Sequence, residues 1–422
     1  MSRQIIQRLP LLFGLVLGLA EATTASSSHA GDWPQILGPH RNGFAANETI
    51  PNSWGPGGPK EVWKVEVGSG FAGVAVKSNH VILFHRIDEE EIVECLNADT
   101  GVRIWKHTSA CSYAGGVSSD TGPRCVPLIS ETQVITLGVE GLLQCLDLAS
   151  GQLIWKKDLD QDYSLRDSYF GVGSTPALWK NVLIVNVGGR GTSGIVGFDI
   201  KTGNELWKSI DDAASYSSPV VTSIHGEDHA IAVTRMNVVS LDPKNGKERF
   251  RFPFGKRGPT VNGATPVVME ERIFLTSSYG LGSLLVTANK SEASETWREP
   301  NLLASQYATP IAFGNHLFAV EGRQDAGAGS ASLKCIDTAG PEVVWEESGF
   351  DYGTLIAVQN DLFFLTCGGD LLRIRANVNK FELIEKAHVL NRTDSGYRLP
   401  ALAAGRLYVR DDNSLKALSL IP

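Results

Sequence analysis

Eight times along the chain an extended apolar run closes on an Asp or Asn, reaches a Gly about four residues later and ends on an aromatic residue four beyond that. The clearest copies run Asp147, Gly151, Trp155 and Asp199, Gly203, Trp207. Asn97, Gly101, Trp105 is close, and Asp242, Gly246 ends on Phe250. In Asp337, Gly340, Trp345 the turn is redrawn by Pro341, weaker copies run from Leu284 to Trp297 and from Ile374 to Glu385, and Trp63 ends a copy whose start is missing. Each copy predicts a hairpin. The Asp or Asn side chain accepts hydrogen bonds from turn amides, Gly supplies the positive φ, and the aromatic residue plugs the outer strand against a neighbour.

The aromatic markers at 63, 105, 155, 207, 250, 297 and 345 stand 42 to 52 residues apart, the length of a four-stranded propeller blade. Before each hairpin lies a small or polar patch, often with Pro, and then an apolar strand. It reads Ser174 to Leu178, Ser218 to Val221, Ala264 to Val268 and Ala308 to Ala312, with looser versions at Phe71 to Val76, Arg124 to Ile129, Tyr352 to Ala357 and Leu399 to Leu402. These are eight innermost strands. The last begins a blade that the remaining chain cannot finish, because Arg406 to Arg410 and Ser414 to Leu420 bring it to only three strands. Glu61 to Val67 supplies the fourth, so the expected fold is all-β, an eight-bladed propeller closed by an N-terminal strand in the last blade. A linear stack would leave two unpaired apolar edges.

The 44 Gly and 19 Pro suit many tight turns, and no window outside the N-terminus has the helical period. Residues 61–422 are therefore one closed unit, with 31–60 expected as a strap across one face. Residues 1–30 have the composition of a secretory leader and polar linker: Arg3 and Arg8, the apolar run Leu9 to Ala20, then small polar residues. A buried helix is the other reading of that run. It is too short for a comfortable membrane span. The expected location is periplasmic or secreted, and the expected state a monomer.

Cys95, Cys145 and Cys335 each stand two residues before the Asn or Asp of a repeat, which assigns them to separate blades as buried small hydrophobes. Cys111 and Cys125 form the one pair a disulfide could join. No cysteines have metal-ligand or haem-attachment spacing. A formal charge of -8 removes any general attraction for nucleic acid.

Local charge adds the candidate site. Arg86, Arg124, Arg190, Arg235 and Arg323 all fall in connections or strand ends near the inner part of their blades, and Arg373 or Arg398 continues the series. With Tyr279 and Tyr352 they are expected to form a funnel for an acidic protein, peptide or other carboxylate ligand. The competing reading makes them structural arginines answered by neighbours such as Glu140, Asp167, Glu321 and Asp370. Catalytic signatures are scarce. Gly188 to Gly191 lacks the helix and Lys-Ser pair of a phosphate loop, and His225 and His229 flank an exposed turn rather than a metal site.

The repeats resemble those of the pyrroloquinoline-quinone-like propeller family, whose blades read Leu-Asp-x-x-Thr-Gly-x-x-x-Trp. Phe198 to Trp207 is a very close match, and Asp32-Trp33-Pro34-Gln35 with Arg41-Asn42-Gly43 resembles the segment preceding such propellers in secreted bacterial proteins. The resemblance implies either a binding scaffold, as in the outer-membrane assembly members, or a quinone-dependent alcohol or sugar dehydrogenase with PQQ and calcium. The chain lacks the adjacent cysteine pair, the haem motif and the large insertions of the dehydrogenases. We therefore read it as a binding propeller without a cofactor, with the dehydrogenase as the alternative.

Overall fold

The computed structural model describes residues 31–166, 169–258, 260, 262–393 and 398–421; the expected leader and Asp167 lie outside the described residues. Eight four-stranded sheets follow one another, seven of them paired in chain order. Blade 1 is Ala75–Lys77, His80–Ile87, Glu90–Asn97 and Arg103–Ala110. Blades 2 to 7 repeat it, with innermost strands Leu128–Ile129, Ala177–Trp179, Val220–Ile224, Val267–Met269, Ile311–Phe313 and Gly353–Val358. Blade 8 takes Ala401–Ala403, Arg406–Arg410 and Ser414–Ser419 from the C-terminal end, and Lys60–Glu66 pairs antiparallel to Ser414–Ser419 as its outer strand. Neighbouring innermost strands touch around the axis, so the core is a ring of apolar layers between blades.

The aromatic marker is the device that joins one blade to the next. In the third-to-fourth strand register Cys95 faces Trp105, Cys145 faces Trp155 and Cys335 faces Trp345, with a bulge just beyond each pair. The indole then crosses to the next blade. Trp105 donates its N–H to the Leu148 carbonyl (2.9 Å), Trp155 to Ile200 (2.8 Å) and Trp207 to Pro243 (3.2 Å), each acceptor being the residue after the turn Asp. Its ring lies on the turn glycine of that blade: a Cβ at Gly151 would sit 2.4 Å from Trp105, and one at Gly203 2.7 Å from Trp155. These glycines, all at φ +70°, are required both by the turn and by the approach of the ring. Trp63 docks on Gly101 and donates to Ala98 (2.8 Å), so the closing strand joins blade 8 to blade 1 by the same contact. Trp105 and Trp207 are buried and Trp155 is half-buried.

Blade 7 carries Glu385 where the others carry the aromatic residue, opposite Arg373. The strap compensates. The Trp54 amide donates to Glu385 (3.2 Å), and the Trp54 ring packs 6.1 Å from Phe363 in the same buried cluster as Val389 and Leu418. Cys111 and Cys125 are both buried free thiols, so the candidate disulfide is not formed.

Candidate functional site

The two mouths of the ring are built differently. Trp33 exchanges backbone hydrogen bonds with Val76 in blade 1, the Ile129 amide of blade 2 donates to Pro34, Ala45 bonds Ala357 in blade 7, and Glu48 caps the Ala404 and Gly405 amides in blade 8. Residues 33–48 thus cross the ring on the face that carries the turns between first and second strands. Between those anchors the side chain of Arg41 enters the axial channel. It donates to the carbonyls of Pro219 (2.7 Å), Thr175 (3.3 Å) and Pro176, while its Nε donates to Gln35 (2.8 Å). Burial lowers its pKa to about 9. Carbonyl dipoles from two blades offset the desolvation.

The opposite mouth is formed by the turns between second and third strands and by the connections between blades. All five expected arginines and Tyr279 belong to this face, but they do not share one role. Arg86 is buried and donates to the carbonyls of Asp88 (2.8 Å), Cys111 (3.0 Å), Tyr113 (2.6 Å) and Thr121 (3.0 Å), organising the long connection between blades 1 and 2. Arg124 donates to Phe170 (2.7 Å) and Asp120 (2.7 Å) carbonyls and stacks 5.0 Å from the Phe71 ring centroid; burial holds its pKa below the ordinary arginine value. Arg398 continues this group, with Asp412 at 2.8 Å and Phe71 at 5.6 Å.

Blades 3 to 6 differ. Arg190 is exposed. Arg235 is half-buried, holds the carbonyls of Thr260 and Gly258, and lies 5.8 Å from the ring of Tyr169, which is 42% exposed. Arg323 is half-exposed, with its guanidinium 5.1 Å from the Tyr279 ring and Nε 2.9 Å from Asp325. Tyr279 sits at φ +63°, and its hydroxyl accepts from Gln306 (2.7 Å). Lys256 and Arg257, which the repeat phase did not single out, add two exposed cations between Arg235 and Tyr279.

The remaining expected residues fall elsewhere. Arg373 is on a middle strand, paired with Asp361 (2.6 Å) and donating to the strap carbonyl of Pro51 (2.8 Å). Asp370 pairs with Lys386 (2.8 Å) and His388 (3.0 Å), Glu321 caps the Ala304 amide (2.7 Å), and Glu140 accepts from Ser112 (2.7 Å). Tyr352 is buried, its hydroxyl accepting from the Ala308 amide (3.0 Å) between blades 6 and 7. Sequence reasoning missed Arg410, which is fully enclosed at the end of a second strand and donates to Ala72 (2.8 Å) and Gly68 (2.8 Å). Burial and the nearby Arg398 lower its pKa to about 9. It also missed Asn186 and a cavity of about 270 Å³ that opens on this face above blade 3. A cavity of about 570 Å³ lies on the other side, between the strap and blades 2 and 3.

Among the described residues no three His, Cys, Asp or Glu side chains gather where a metal ion could sit. Of the buried arginines, Arg41, Arg86 and Arg410 hold main-chain carbonyls, and Arg373 and Arg398 pair with Asp361 and Asp412. No described helix is long and apolar enough to cross a membrane.

Fold and repeat together define an eight-bladed propeller of the BamB and quinoprotein-dehydrogenase superfamily. More narrowly, the chain belongs to the family described as outer membrane protein assembly factor BamB, whose model matches residues 88–347. It is 23% identical over 185 residues to the outer membrane protein assembly factor BamB of Kangiella koreensis, covering 44% of this chain and 43% of that protein. It is 29% identical over 146 residues to the quinohemoprotein alcohol dehydrogenase ADH-IIG of Pseudomonas putida, covering 32% of this chain and 20% of that protein. The matches thus span less than half the length of either relative. The solved quinohemoprotein alcohol dehydrogenase of Comamonas testosteroni superposes with a TM-score of 0.64 at 13% identity, over 94% of this chain and 82% of that one. That likeness concerns the fold alone.

Proposed function

We propose that this propeller is a periplasmic or secreted binding module whose protein partner presents an acidic segment to the open mouth over blades 3 to 6. One observation carries the reading: Arg190, Lys256 and Arg257 are exposed and Arg235 and Arg323 partly so, and they are interleaved with the rings of Tyr169 and Tyr279, while the strap and Arg41 lie across the other mouth. Arginine offers carboxylates a planar fork, and an aromatic ring beneath it holds the fork in place. The left-handed backbone of Tyr279 is the kind of local strain that accumulates at binding surfaces. The relatives named for outer membrane assembly support both the location and a protein partner. The test is titration of a labelled glutamate-rich peptide, with a glutamine-rich peptide as control. Saturable binding of the first alone, weakening as salt rises, supports the reading; equal binding of both, or none at low salt, contradicts it.

A second reading is a quinone-dependent dehydrogenase. It is favoured by the sequence comparison, where identity to the alcohol dehydrogenase (29%) exceeds that to the assembly factor (23%). Adding quinone and calcium to the purified protein and following cofactor absorbance with dye reduction separates the two. Turnover of a primary alcohol would replace the binding reading.

A further inference from the structure

The cavity above blade 3 is a site of its own. Tyr113 and Tyr216 line it, with Glu140, Asp160 and Arg166 also in its lining, and Asn186 and Ser215 complete it near the innermost strands. The polar groups divide unevenly. Several side-chain donors are turned into the protein: Ser174 donates to Ser217, Ser215 to Val233 (2.6 Å) and the Asn186 amide nitrogen to Val233 (3.0 Å), while Arg166 pairs with Asp211. Glu140 accepts from Ser112 through both oxygens, but two other acceptors are open. The Asn186 amide oxygen is completely buried and has no partner, and the Asp160 carboxylate accepts only from Leu165, through one oxygen (3.0 Å). An unpartnered buried amide oxygen costs free energy until a donor reaches it.

We propose that this cavity receives a basic side chain, the guanidinium or ammonium of an Arg or Lys from the docked partner. The class follows from what the open groups ask for: the Asn186 oxygen and the second Asp160 oxygen both need a donor, and a guanidinium or ammonium only donates. The carboxylates of Glu140 and Asp160 answer the charge, the Arg166 cation being paired with Asp211, and the tyrosine rings suit the apolar stem and the cation above it. The identity of the bearer rests on the protein-binding reading; the cation site does not.

The probe is agmatine, titrated by calorimetry into the full-length protein, with 1-pentanol and methyl glucoside as neutral comparisons. Saturable binding of agmatine alone is expected, weakened about tenfold in Asp160→Asn and again in Asn186→Leu, with thermal unfolding checked for each. Asp160 is exposed, so its variant keeps the test interpretable if Asn186→Leu fails to fold. Unchanged agmatine affinity in Asp160→Asn overturns the proposal, as does saturable binding of methyl glucoside in its place. An Arg190→Ala/Arg323→Ala protein separates the two ideas: it should lose the glutamate peptide and keep agmatine.

Discussion

From blade 8 to blade 2 the open mouth holds Arg86, Arg124, Arg398 and Arg410, their guanidiniums enclosed and spent on main-chain carbonyls, Asp120 and Asp412. From blade 3 to blade 6 it holds Arg190, Arg257 and Arg323, which reach solvent, and the half-buried Arg235, which holds the carbonyls of Thr260 and Gly258. Arginines join both arcs, yet the connections at 67–74 and 111–127 wrap the first, where Arg86, Arg124 and Arg410 take their carbonyls. Enclosure turns the guanidinium into a clamp for loops, and exposure leaves it as a ligand for carboxylates. The lesson is that position within a blade fixes the face an arginine joins, while the carbonyls that the neighbouring connection brings within reach decide its use.

The comparison breaks first at the enclosed arc. Arg410→Ala leaves the carbonyls of Ala72 and Gly68 without donors, and should cost about 3–5 kcal/mol, seen as a lowered denaturant midpoint. Trp207→Ala serves as its scale, with a loss of about 3–5 kcal/mol from burial and cavity formation. If Arg410→Ala unfolds no earlier than the parent, enclosure does not mean clamping.

Glu91 sharpens the same arc through pH. It is buried beside Arg86 and accepts from the Val139 amide (2.8 Å), yet desolvation raises its pKa from 4.5 to about 7. Between those values the unfolded chain releases a proton that the folded chain keeps, so stability contributed below pH 4.5 is lost as pH rises toward 7. Glu91→Gln should remove that loss, gaining about 3 kcal/mol at pH 8 relative to the parent and nothing at pH 4. Equal pH slopes in both proteins would show that the carboxyl is solvated.

The smallest stability effects belong to the exposed arc. Arg190→Ala and Arg323→Ala should each shift stability by no more than about 0.5 kcal/mol. Together they should lower affinity for the glutamate peptide several-fold at low salt and less at high salt.

How much of this the sequence carried depends on what repeats. The turn Asp, its Gly and the outer Trp recur because every blade must dock on the next, so blade number, closure by Glu61 to Val67 and the equivalence of Cys95, Cys145 and Cys335 were legible from spacing. Arg41 was not, because its role depends on where a non-repeating strap crosses the axis; its one trace was the Arg41-Asn42-Gly43 turn. Asn186 was hidden for the opposite reason. It sits at a repeat position whose neighbours are apolar or charged, and only the missing partner of its oxygen marks it.

Labelling with an arginine-directed dicarbonyl, read residue by residue by mass spectrometry with and without the glutamate-rich peptide, tests the division of the mouth most directly. The account predicts that Arg190, Arg257 and Arg323 react and become protected by the peptide, while Arg86, Arg398 and Arg410 stay unreactive in both samples. Comparable labelling of the two arcs, or reactive arginines that the peptide does not protect, would contradict it.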